Sequence, residues 1–132
     1  MNWFKKKPPP IRSLIGEGTV VMGHVNFTDG LRIDGEVLGD VTGPDDATTL
    51  LVVSENAKVH GMVKAGHVII NGEVLGPIES LSMLELQPRA RVVGNVRYEL
   101  LEMHPGALID GELRPLKQTD RPALKLAASN GL

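Results

Sequence analysis

One tripeptide constrains this chain more than any other feature. Glycine, any residue, then Val, Ile or Leu recurs at Gly23-His24-Val25, Gly39-Asp40-Val41, Gly61-Met62-Val63, Gly76-Pro77-Ile78, Gly94-Asn95-Val96 and Gly111-Glu112-Leu113. The intervals are 16, 22, 15, 18 and 17 residues, a mean of 17.6. The long interval contains Gly43-Pro44-Asp45-Asp46, a composition that reads as an inserted turn. Ile33-Asp34-Gly35-Glu36-Val37-Leu38-Gly39-Asp40-Val41 nearly superimposes on Ile70-Asn71-Gly72-Glu73-Val74-Leu75-Gly76-Pro77-Ile78, two periods later. Inside a unit, Ile33, Gly35, Val37, Gly39 and Val41 alternate with Arg32, Asp34, Glu36 and Asp40. Period two means strands with one buried face, and no helical period of 3.6 runs from residue 18 to 113.

Two β architectures answer to this pattern. Asp34-Gly35, Asn71-Gly72 and Asp110-Gly111 are hairpin dipeptides and suggest an antiparallel meander. A meander, however, has no need of a constant period that returns the same side chains at the same phase. A β-solenoid does, because each turn stacks its Val or Ile on the one below. The expectation is an all-β, single-domain parallel β-helix of about six rungs over residues 14–113. Each rung has three short faces with glycine at the corners, and the body is roughly 25–30 Å long at a strand spacing of ~4.8 Å. Gly23, Gly35, Gly39, Gly61, Gly72, Gly76, Gly94 and Gly111 are the structural glycines of that scheme. Aromatic residues make up only 3% of the 132 residues, so the core is expected to be thin and aliphatic.

The net charge of −2 conceals a segregation. Residues 1–13 carry +4 and residues 114–132 carry +3, while the body between them carries −9. An acidic body repels phosphate backbones and lacks rings interleaved with basic residues, so nucleic acid is not an expected partner. There is no cysteine, which removes disulfides and thiolate chemistry and fits a reducing cytoplasm. Pro8-Pro9-Pro10 stands where a secretory signal would have its apolar stretch. No Gly-rich loop with Lys and Ser or Thr leads into a helix, so no nucleotide or other cofactor is expected. His24, His60, His67 and His104 fall in different units, and no metal site is expected of them. Glu36 and Glu73, at matching phases, read as a solvated acidic face rather than a catalytic pair. Intervals of 15–22 residues also break the hexapeptide register of the acyltransferase β-helices, so an enzyme is not expected.

An open solenoid exposes backbone donors, acceptors and a slice of core at each end. The last unit, Leu100 to Leu113, is as apolar as the inner ones, and Leu14 to Val21 offers no obvious cap; the tail beyond Pro115 carries only weak helical character over 123–128. End-to-end stacking follows, with Leu101, Met103, Leu108, Ile109 and Leu113 at one end and Val20 and Val21 at the other. The alternative is a solenoid dimer that does not polymerise and presents its tails to a partner protein. In the N-terminal segment, Trp3 and Phe4 precede Lys5, Lys6 and Lys7, a combination suited to an anionic membrane interface.

The chain resembles the bactofilins in Gly18-Thr19-Val20, in Leu31-Arg32-Ile33-Asp34-Gly35-Glu36-Val37-Leu38-Gly39-Asp40-Val41, in Ala90-Arg91-Val92-Val93-Gly94-Asn95-Val96 and in Gly106-Ala107-Leu108-Ile109-Asp110-Gly111. The resemblance covers residues 14–113 and implies a right-handed β-helix between disordered basic tails, 1–13 and 114–132. It further implies nucleotide-independent homopolymers at the inner face of the cytoplasmic membrane, scaffolding cell-shape or cell-wall proteins. A membrane-targeting peptide is implied at Trp3, Phe4, Lys5, Lys6 and Lys7. Where the family commonly has Phe in the terminal rung, this chain has Ile109, which keeps the position apolar without a ring. Pro77 replaces a ladder donor and is expected at a corner or local break.

Overall fold

A computed structural model describes residues 9–117 and the backbone of 124–127. Fourteen strands wind through six rungs. The first rung comprises β1 (Ile11–Ile15), β2 (Val20–Met22) and β3 (Val25–Asn26), and the second β4 (Gly30–Ile33), β5 (Glu36–Leu38) and β6 (Val41–Thr42). Next come β7 (Leu50–Val53), β8 (Lys58–Val59) and β9 (Val63–Ile70), the last turning a corner into the fourth rung with β10 (Glu73–Leu75). The upper rungs are β11 (Ile78–Leu86), β12 (Arg91–Val93), β13 (Val96–Met103) and β14 (Leu108–Pro115). All pairings among these strands are parallel.

Three faces result. One stacks β1, β4, β7 and the second halves of β9, β11 and β13. The second stacks β2, β5, β8, β10, β12 and the start of β14. The third stacks β3, β6, the first halves of β9, β11 and β13, and the end of β14. The Asp-Gly and Asn-Gly steps are thus corners rather than hairpins. Gly35 N–H, for instance, donates to Ile15 O in the rung below at 3.0 Å, an acceptor that a two-strand hairpin would not offer.

Alternation decides what is inside. In the second face, Val37, Val59, Val74 and Val92 stack in register and are at most 1% exposed. Ile33, Val53, Ile70 and Leu86 fill the first face, and Val41, Val63, Ile78 and Val96 the third. Phe27 is the one Phe, Tyr or Trp among the buried described residues. The inserted turn at 43–46 lies between β6 and β7 and is tied back by the Lys64–Asp45 ion pair. Pro77 occupies a corner without breaking the ladder: Gly76 N–H and Ile78 N–H still donate to Val93 O and Asn95 O.

The last described element departs from expectation. Residues 124–127 were expected to carry at most weak helical character, yet they form β15 (Leu124–Ala127), antiparallel to β14 with Asp110 opposite Ala127 and Leu113 opposite Leu124. A free edge outranks intrinsic helix preference, because its unpaired donors and acceptors complete a ladder only with a strand.

Candidate assembly surfaces

The two ends of the solenoid are not equivalent. Among the described residues the main sheet path runs from β1 round to β2, so both of its free edges lie in the first rung. There the inward residues Ile15, Val21 and Val25 remain partly exposed, whereas their counterparts one rung on, Ile33, Val37 and Val41, are at 0%. Gly23 shows the same opening in its backbone: a Cβ at that corner would meet nothing within 4 Å, while every equivalent corner above it is filled by the rung beneath.

At the other end, β15 lines the outer edge of β14, and Ile109 and Leu113 are only 4% and 2% exposed. The expectation that both ends lack a cover therefore fails along β14. The first face stays open there, with no strand beyond the end of β13 among the described residues; Leu101 is half-buried, and Leu100 and Met103 are exposed.

Of the residues expected at the stacking contacts, Val21 and Leu101 face the core slices at the ends. Ile109 and Leu113 are interior, and Met103 is exposed at the rim of the first face. Val20 and Leu108 instead project sideways from the second face. Trp3, Phe4, Lys5, Lys6 and Lys7 lie outside the described residues.

Sequence reasoning missed two constellations. The first is on the second face, where Met22, Leu38, Leu75 and Val93 are solvent-exposed immediately before four of the corner glycines. A shallow groove of about 470 Å³ runs along the corner that leads into that face, bordered by Lys58, Glu73, Arg91 and Leu108. The readable sign was the apolar residue preceding a corner glycine, one step out of the inward phase.

The second is His104, which was expected to stand apart from other ligand-type groups. Its Nε2 lies 3.2 Å from Glu85 Oε2 and 3.1 Å from Glu102 Oε2, tying two rungs together. These three donor atoms, mutually within 4.8 Å, are the one grouping among the described residues with the donor types and spacing a divalent cation would use. Nearby His67 is 8% exposed, and burial pushes its pKa below the ordinary imidazole value while Glu85 and Glu102 pull the other way.

A family profile for polymer-forming cytoskeletal proteins, the bactofilins, matches residues 13–114. This chain is a bactofilin. Bactofilin BacP of Myxococcus xanthus (strain DK1622) is 25% identical to it over 101 residues, which cover 76% of this chain and 40% of BacP. The chain thus spans less than half the length of that relative. No solved structure matches it. The family is a structural one, and its polymer-forming character accords with the open first rung of this bactofilin.

Proposed function

We propose that this bactofilin is a cytoskeletal scaffold that stacks end to end, without nucleotide, at the cytoplasmic membrane and positions cell-shape or cell-wall machinery. The observation that carries the assembly is the first rung, whose strand edges are unpaired among the described residues, with a half-open core slice of Ile15, Val21 and Val25. Burying such a slice gains ~25 cal/mol per Å², and edge pairing satisfies the ladder donors. The first rung is the site where assembly starts; the β14 end joins once β15 leaves its edge or is taken into the contact.

Val21→Lys places a charge in the open slice and leaves the closed rungs untouched. Such a chain is expected to keep its β circular dichroism and lose sedimentable polymer. Unchanged sedimentation would remove the first rung from the assembly contact. Ile109→Lys is a poorer probe, because at 4% exposure it puts a charge into the interior.

Membrane recruitment rests on the ring-plus-lysine composition of residues 3–7, where each Lys near an anionic leaflet contributes ~1 kcal/mol and many weak anchors along a polymer act together. Deleting residues 2–7 is expected to abolish liposome co-sedimentation while polymers persist. One observation favours the second reading, a non-polymerising module: β15 already occupies the edge that a stacking copy would use.

A further inference from the structure

The outer side of the second face carries two registered columns. The first runs Val20, Glu36, Lys58, Glu73, Arg91, Leu108 from the first rung to the sixth. Its signs alternate, it is neutral in a body of net −9, and it ends in an apolar residue at either side. Among the described residues, none of its four charged members closes an ion pair within 4 Å. The second column runs Met22, Leu38, Leu75, Val93, Asp110, with His60, which follows β8 and donates its N–H to Val37 O at 2.8 Å, in the rung between Leu38 and Leu75. Met22 is 81% exposed, Leu38 36%, Leu75 37% and Val93 48%.

We propose that this face docks a second copy of the same chain, antiparallel and face to face, and so joins neighbouring filaments side by side. The charge order decides the direction. A two-fold axis perpendicular to the solenoid axis lays each column on its own reverse. Glu36 then meets Arg91 of the second copy, Lys58 meets Glu73, and Val20 meets Leu108. In the other column, Leu38 meets Val93, His60 meets Leu75, and Met22 meets Asp110, the one pair that is not complementary. In the charged column every acid faces a base and the two apolar ends, Val20 and Leu108, face each other. A two-fold parallel to the solenoid axis sets the charged column on the apolar one. A parallel copy slipped by one rung leaves Glu36 against Val20 and Leu108 against Arg91. The self-complementary, isologous arrangement is the antiparallel one.

The size of the face fixes when it acts. Five steps at ~4.8 Å and a strand three residues wide give roughly 250 Å², well under the ~800 Å² per partner of a stable pair. Two free chains separate again, whereas filaments that repeat the face hold together by multiplicity. The bundling therefore rests on the end-to-end assembly proposed above; the pairing geometry does not.

The full, untagged chain lacks cysteine, so engineered thiols report the geometry cleanly. Leu38→Cys mixed with Val93→Cys, at high protein concentration with a short bismaleimide, is expected to give at least fivefold more cross-linked dimer than Leu38→Cys alone. Equal yields would overturn the antiparallel pair whether or not filaments form. In electron microscopy at low salt, Lys58→Glu/Arg91→Glu and Glu36→Lys/Glu73→Lys are each expected to form single filaments, and their mixture to form bundles. Bundling by either variant alone, or its absence from the mixture, would equally overturn the proposal. A wild-type chain that forms no filaments overturns the end-to-end reading, and the cross-linking pattern then judges the lateral pair by itself.

Discussion

Gly94→Ala tests whether the corner glycines are required by the stacking of rungs rather than by local turn chemistry. Gly94 has φ 144°, a conformation that side chains rarely adopt. A Cβ there would lie 2.6 Å from Gly76 O, 2.7 Å from Gly76 C and 3.1 Å from Pro77 N, all backbone of the rung beneath. Restoring ordinary contact at 3.4 Å means moving the rungs apart by about 0.8 Å. The ladder bond between those two rungs, Gly76 N–H to Val93 O at 2.8 Å, resists this, since a stretch of that size takes it beyond ~3.5 Å. Backbone strain contributes roughly 1–3 kcal/mol and overpacking a similar amount, so the cost is about 2–6 kcal/mol in a domain whose whole stability is about 5–15 kcal/mol. At roughly 4 °C per kcal/mol, the melting temperature falls by about 10 °C or more. Gly16→Ala is the control, because a Cβ there meets nothing within 4 Å. Thermal denaturation followed by circular dichroism reads both variants under identical conditions. A Gly94→Ala chain within about 1 kcal/mol of wild type, or a Gly16→Ala chain equally damaged, would refute the reasoning.

Three further outcomes follow from the same geometry. Because burial holds the folded pKa of His67 below the ordinary 6.5, the unfolded chain takes up that proton first; its contribution to stability is whole above that pH and declines below it. His67→Gln should flatten the fall in melting temperature between pH 7.5 and 5.5, and parallel curves for the two proteins would contradict this. Ser80 is fully buried and its Oγ donates to Gly66 O at 2.9 Å, so Ser80→Ala should cost about 1–2 kcal/mol in urea denaturation, and a neutral variant would remove that bond from the account. Deleting residues 118–132 removes β15 and bares the outer edge of β14; light scattering should show assembly at a lower protein concentration, and slower or unchanged assembly would make β15 part of the contact instead.

Much of the body was legible because its period is enforced by stacking. The residues that repeat at 15–22 intervals touch one another, so Val37, Val59, Val74 and Val92 could be placed on one buried face before any coordinates. The hairpin dipeptides Asp34-Gly35 and Asn71-Gly72 misdirect locally, since a tight corner and a tight turn ask for the same residues. Features that depend on register between rungs were hidden. His104 meets Glu85 from 19 residues away, and the alternation of Glu36, Lys58, Glu73 and Arg91 appears only when the 22-residue interval is folded into the same stack as its shorter neighbours. Leu124–Ala127 misled for a different reason: its conformation is set by the edge of β14, which the segment itself does not encode.

Electron microscopy of the purified, untagged protein without nucleotide or metal, wild type beside Val21→Lys, addresses the central claim most directly. The account predicts filaments or sheets from the wild type and dispersed single particles from Val21→Lys. Discrete wild-type particles at micromolar concentration, or filaments undiminished in Val21→Lys, would contradict it.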